Sequence, residues 1–118
     1  MESEMVKPTT IGIVGAGQLA RMMIEAASPL NINIRLLASS LEDSAALISK
    51  NIDLGSPNNE RDLRNFAASC DIITFDHELV DLNIIRTLEN EGKIINPSSK
   101  ALNYAQDKLY QRTLFSKN

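Results

Sequence analysis

The chain has 118 residues, of which 43% are apolar, and its formal net charge is −3. This length supports one domain with its own hydrophobic core and is too short for two. A mildly acidic chain without a basic stripe is not expected to bind nucleic acid. No apolar run approaches the ~20 residues that cross a bilayer, so no membrane partner is expected. The single cysteine, Cys70, favours a reducing, cytoplasmic location.

Apolar runs divide the chain into predicted strands. Residues 1–9 are predicted to be a flexible N-terminus, and residues 10–118 to form the domain. Five short runs predict the following strands: Thr10–Val14, Ile34–Ala38, Ile52–Leu54, Asp71–Phe75 and Lys93–Ile95.

Helical spacing of apolar residues separates these strands. The first predicted helix buries Leu19, Met22, Met23, Ala26 and Ala27 and ends near Pro29. A short helix is expected at Ser44–Ile48. The next helix follows an asparagine cap and buries Leu63, Phe66, Ala67 and Cys70. Asp81 is expected to cap a helix that carries Ile84, Ile85 and Leu88 and stops at Gly92. A last helix opens at Pro97-Ser98-Ser99 and turns Leu102, Ala105 and Leu109 inward.

Alternating strands and helices predict an α/β fold, a small doubly wound parallel sheet of the Rossmann-like kind. The usual strand order 3-2-1-4-5 makes the first and fourth strands neighbours, with a crevice at their carboxyl ends. The loops after these two strands are therefore expected to line one site. A ligand with an anionic end and an amine end would suit the glycine loop and the acidic loop together.

Residues Gly15 to Ala20 read GAGQLA and fit the phosphate-binding pattern G-x-G-x-x-G/A. A nicotinamide dinucleotide also needs an acid at the end of the second strand, about 20 residues after the glycines. The chain has Ser39-Ser40 there, and Glu42 and Asp43 come several residues late. The dinucleotide fingerprint is incomplete, so a nicotinamide-dinucleotide-binding module of an oxidoreductase or a ligand-sensing regulator is kept as the alternative interpretation.

Three segments carry a family resemblance, in this order: IGIVGAGQLARMM, DIITFDHELVD and NPSSKALNYAQDKL. Together they resemble the amino-terminal, pre-ATP-grasp domain of carboxyaminoimidazole ribonucleotide synthetases, which belong to the ATP-grasp superfamily. The resemblance implies an ATP-dependent ligase of purine biosynthesis that carboxylates aminoimidazole ribonucleotide with bicarbonate. Magnesium bridges the ATP phosphates in that reaction. Family members are commonly homodimers, which makes a second copy a candidate partner.

The resemblance also implies site residues. Gln18 and Glu78 match family positions expected to contact the ribonucleotide, and Lys108 matches one expected to contact ATP phosphates. With the loop positions Gly15, Gly17 and Leu19, these are the candidate binding residues. Asp76 and His77 are secondary candidates, and no catalytic residue is assigned.

Two features depart from the family pattern. Leu79 stands where many members carry histidine or asparagine, and the sequence given ends where the family continues into its central and carboxy-terminal domains. We therefore expect these 118 residues alone to lack ligase activity, and most ATP and magnesium ligands to lie outside them. No metal site is predicted here, because His77 is the only histidine.

Simpler interpretations remain for each residue. The glycines suit any tight turn, Gln18 suits a first helical turn, Asp76 can cap or turn its loop, and Lys108 suits an exposed helix. A domain kept for assembly, with no ligand, is the third hypothesis.

Overall fold

The computed structural model describes residues 9–49, 51–77 and 80–116. Strands and helices alternate along these residues as predicted, except that no helix lies between the second and third strands. The strands are β1 (Thr10–Val14), β2 (Asn33–Ala38), β3 (Ile52–Leu54), β4 (Ile72–Phe75) and β5 (Ile94–Ile95). The helices are α1 (Gln18–Ala27), α2 (Glu60–Ala67), α3 (Leu82–Asn90) and α4 (Ser99–Ser116), with a 3-10 turn at Ser28–Leu30.

All five strands are parallel and lie in the order β3-β2-β1-β4-β5, which confirms the predicted topology. Val14, the last residue of β1, pairs with Leu37 of β2 and with Phe75 of β4. The three strands therefore end nearly level with one another. The loops that follow them emerge side by side at one edge of the sheet.

Both faces of the sheet are covered, as the continuously apolar strands predict. Val14 and Leu37 belong to a large buried cluster with residues of α2 and α3, including Phe66 and Ile85. Their neighbours Ile13 and Leu36 belong to a second cluster with α1 and the segment after β2. The difference follows from the alternation of side chains along a strand.

Helix α1 buries a different face from the predicted one. Ala20 and Ala27 are buried, and Met23 and Ile24 pack against the core, whereas Leu19 and Met22 are 49% and 55% exposed. Apolar residues fill most of this helix, so its pattern is compatible with two faces rotated by one residue. The small alanines face the sheet because they allow the helix to lie close to it.

The segment between β2 and β3 forms successive turns, so the helix predicted at Ser44–Ile48 is wrong. Hydrogen bonds from Asp43 N to Ser40 O and from Ile48 N to Ala45 O close separate turns. The N–H of Ala45 instead donates to Ala16 O at 2.8 Å, which fixes this segment to the loop after β1.

The other helix boundaries follow their predicted signals. Asn59 and Asp81 accept hydrogen bonds from backbone N–H groups in the first turns of α2 and α3. Gly92, with φ of +94°, follows the end of α3 in the left-handed region that glycine tolerates. Glu89 then holds the start of α4, since its carboxylate accepts from both N and Oγ of Ser99.

The predicted flexible N-terminus and the expected lack of a membrane span can be compared with the structure only for the described residues. Residues 1–8 of the predicted flexible N-terminus lie outside the described residues, whereas Thr9 O accepts a hydrogen bond from Asn33 N. No helix in the described part of the chain is long and apolar enough to span a membrane.

Candidate functional site

Three loops meet at the carboxyl edge of the sheet and line an open cavity of about 260 Å³. They follow β1, β2 and β4, whose last residues are level in the sheet. The cavity is lined by Gly15, Ala16, Gly17, Ser39, Asp43, Ser44, Asp76 and His77. The predicted meeting of the loops after the first and fourth strands is therefore confirmed, and a third loop joins them.

Asp76 ties the loop after β4 to the first turn of α1. Its Oδ1 accepts a hydrogen bond from the N–H of Ala20 at 2.6 Å. That N–H is one of the four donors that the start of a helix leaves without an intrahelical acceptor. Asp76 therefore acts as an N-cap supplied by a distant part of the chain.

The glycines of the loop leave room for this carboxylate. A Cβ on Gly17 would collide with Asp76 Oδ2, and a Cβ on Gly15 would lie 2.9 Å from Asp76 Cβ. Gly15 also has φ of +105°, which disfavours a side chain in any surroundings. The simpler interpretation of these glycines, that a tight turn needs small residues, therefore holds in the structure. Asp76 is the side chain that they accommodate.

The start of α1 has fewer N–H groups available to a ligand than a glycine loop followed by a helix usually offers. The donor at Ala20 is already used by Asp76, and a carboxylate there offsets the positive end of the helix dipole. The N–H groups of Gln18 and Leu19 still lack intrahelical partners.

Asp43 is the site residue that sequence reasoning missed. Its Oδ2 accepts from Ser39 N, Ser39 Oγ and Ser40 N, each at 3.2 Å, and the residue lines the cavity. The spacing from the glycines had set Asp43 aside, yet the turns after β2 bring it back to the site. Serines followed within four residues by an acid were the available signal, because such side chains commonly bond nearby backbone groups.

Of the remaining candidate residues that the structure describes, one lines the cavity and the others do not. Gln18 and Leu19 are exposed at the start of α1 and do not line the cavity, whereas His77 lines it with an exposed side chain. Glu78, with Leu79 beside it, lies outside the described residues, so the expected pairing of Gln18 and Glu78 stays a prediction. Lys108 lies on α4, exposed, with Nζ 5.4 Å from the centre of the Tyr104 ring, and it is not a cavity residue.

Acidic and neutral groups dominate the cavity. Its described lining contains two carboxylates and one imidazole, and no lysine or arginine. Arg21 lies nearby and donates from Nη1 to Ser44 O at 3.5 Å. Among residues 9–49, 51–77 and 80–116, no group of three or more His, Cys, Asp or Glu residues could hold a metal ion.

Comparison with known protein families assigns the chain to one of them. Residues 8–106 match the model of the ribonucleotide synthetase preATP-grasp domain. The chain belongs to this family. The parallel α/β sheet, which was predicted from the sequence and is present in the structure, agrees with this family.

Relatives and solved structures agree with the family. The N5-carboxyaminoimidazole ribonucleotide synthase of Mycobacterium tuberculosis is 43% identical over 102 residues, which cover 86% of this chain and 24% of that protein. The phosphoribosylaminoimidazole carboxylase of Saccharomyces cerevisiae is 35% identical and covers 92% of this chain, but 20% of its own length is matched.

A crystal structure of the N5-carboxyaminoimidazole synthase of Aspergillus clavatus, in complex with ADP and 5-aminoimidazole ribonucleotide, superposes with a TM-score of 0.78 at 31% identity. That match covers 94% of this preATP-grasp chain and 30% of the other. The chain thus spans about a quarter of the curated relatives that it matches.

Proposed function

We propose that this preATP-grasp chain is the ribonucleotide-binding part of an ATP-dependent carbon–nitrogen ligase of purine biosynthesis. The ligase would carboxylate aminoimidazole ribonucleotide with bicarbonate. One observation carries the proposal: loops that are far apart in sequence line a single cavity, in a chain whose relatives are named for this reaction. The Aspergillus clavatus neighbour, which was crystallised in complex with ADP and the ribonucleotide, supports the same nucleotide and ribonucleotide ligands.

The candidate residues divide by position. Gly15 and Gly17 line the cavity and would bring backbone close to the ligand, and Gln18 and Leu19 would offer N–H groups at its rim. Glu78 would accept hydrogen bonds from the ribonucleotide. Asp76 and His77 directly precede Glu78 in sequence and line the cavity, which supports placing the ligand there.

ATP and magnesium would bind mainly outside these 118 residues. Lys108 stays our candidate for an ATP phosphate contact, because its ammonium is exposed on α4. The described residues do not fit magnesium, since they contain no suitable cluster of ligands. We therefore expect no ATP-dependent carboxylation by this chain alone. Measurable product from the purified chain would contradict that expectation.

Three further properties of the chain are its domain extent, its location in the cell and its partner. We propose that residues 10–118 act as one domain, that the ligase works in the cytoplasm, and that a second copy of the chain is a candidate partner. The main argument against the nicotinamide alternative was the missing acid at the end of the second strand. Asp43 weakens that argument, because it lines the cavity. However, three hydrogen bonds already engage Asp43 Oδ2, and the family comparison favours the ribonucleotide.

Calorimetric titration tests the proposed function. Aminoimidazole ribonucleotide should bind the wild-type chain and lose affinity on Glu78→Ala, because a charged hydrogen-bond acceptor disappears. Glu42→Ala is the matched control, since Glu42 is exposed and does not line the cavity. Binding of NADH without the ribonucleotide would support the dinucleotide alternative. No binding of either would support a domain kept for assembly.

A further inference from the structure

The carboxylate of Asp76 occupies the place where a glycine loop usually receives a ligand phosphate. In such loops the phosphate accepts hydrogen bonds from the first N–H groups of the helix and benefits from the helix dipole. Here Asp76 Oδ1 accepts from Ala20 N at 2.6 Å, and Oδ2 lies directly against Gly17. A phosphate and Asp76 would therefore compete for the same donors and the same space.

The rest of the cavity provides little compensation for an incoming anion. Asp43 contributes a second carboxylate, and the described lining residues include no lysine or arginine. Two like charges about 4 Å apart near a protein surface weaken binding by about tenfold or more. By contrast, hydroxyl and amine groups can donate to carboxylate oxygens without this repulsion.

We propose that Asp76 is a specificity-determining residue that excludes phosphate and pyrophosphate groups from the glycine loop. A ribonucleotide then enters the cavity with its uncharged hydrogen-bond donors and leaves its phosphate outside. The identity of this ligand rests on the proposed function, whereas the exclusion of anions depends on Asp76 alone. The same residue would explain how a G-x-G-x-x-A loop can fail to bind a dinucleotide.

Titration with inorganic pyrophosphate, followed by amide ¹H–¹⁵N spectra at pH 8 and low ionic strength, tests this assignment. Asp76→Asn removes the charge, and its neutral amide oxygen holds the Ala20 N–H less strongly than a carboxylate does, so that an incoming phosphate can displace it. Asp43→Asn is the matched control, because it removes one charge from the same cavity away from the start of α1. We expect saturable shifts of the Gly15, Gly17 and Gln18 amides for Asp76→Asn, with a Kd at least about tenfold below the highest pyrophosphate concentration used for wild type. Wild type and Asp43→Asn should show no saturable shift at these amides.

Each other result has a definite meaning. Saturable pyrophosphate binding at the glycine loop of wild type, or no gain for a folded Asp76→Asn, would overturn the proposal. If Asp76→Asn loses its native spectrum, Asp76→Ser replaces it, since serine is also a good N-cap. Loss of the native spectrum in both variants would assign Asp76 to folding and overturn a specificity role. Failure of aminoimidazole ribonucleotide to bind, with the pyrophosphate results as expected, would refute the proposed function alone.

Discussion

Gly17→Ala should destabilise the chain through Asp76. Gly17 has φ of −89° and ψ of −154°, so alanine adds no backbone strain. The new methyl group would collide with Asp76 Oδ2, which can move only by weakening the 2.6 Å hydrogen bond to Ala20 N. The effect should therefore come almost entirely from one side-chain contact.

The expected magnitude combines three contributions. Loss of an N-cap removes about 0.5–2 kcal/mol of stability. Overpacking a filled site removes about 1–3 kcal/mol when neighbours do not relax fully. Replacing glycine by alanine returns about 0.4–1 kcal/mol by restricting the unfolded chain. A net loss of about 0.5–4.6 kcal/mol is expected, with a fall in Tm of about 4 °C per kcal/mol for a domain of this size.

A double-mutant cycle identifies the partner. Urea unfolding of wild type, Gly17→Ala, Asp76→Ala and the double variant should give a coupling energy of about 1.5–5 kcal/mol, because Gly17→Ala meets no carboxylate once Asp76 is gone. The same cycle with Asp43→Ala should show coupling near zero, since Asp43 engages Ser39 and Ser40. An equal loss from Gly17→Ala with and without Asp76 would refute the reasoning.

Three further predictions concern the fold that supports the site. Burial raises the pKa of the Cys70 thiol to about 11, so iodoacetamide at pH 8 should modify the native chain far more slowly than the urea-unfolded chain, and equal rates would contradict this. Because the folded pKa lies above the unfolded one, this contribution to stability is complete below about pH 8.5 and declines as pH rises through about 11. Asp81→Ala should lower the free energy of unfolding by about 1 kcal/mol through loss of the α3 cap, whereas Asn58→Ala, which removes no cap, should leave the urea midpoint unchanged. Gly12→Ala should lower stability by about 1–3 kcal/mol, because its methyl group would meet Cys70 Sγ and lie 2.9 Å from the Phe66 ring; an unchanged urea midpoint would show that the core relaxes freely.

The sheet could be predicted because its signals are local. Apolar runs between turn residues locate the strands, and the cap at Asp81 and the stop at Gly92 locate α3. Strand order then follows from the usual 3-2-1-4-5 plan of doubly wound parallel sheets, which the structure has. The face of α1 could not be predicted in the same way, because apolar residues occupy both possible faces and only packing leaves Met22 exposed and Met23 partly buried.

The site depends more on contacts that leave no periodic signal. The bond from Ala20 N to Asp76 joins residues 56 positions apart, and the sequence offers only the topology to suggest it. Asp43 reaches the cavity through irregular turns, which spacing rules for strands and helices do not describe. Topology therefore predicts which loops meet, but the side-chain bonds between them have to be observed.

The central claim is that the loops after β1 and β4 form one ligand site. The most direct measurement is a ¹H–¹⁵N titration of the chain with aminoimidazole ribonucleotide, following the backbone amides of Gly17 and His77 together. Both amides should shift along saturable curves with the same Kd. Shifts at only one loop, or two different Kd values, would contradict a shared site.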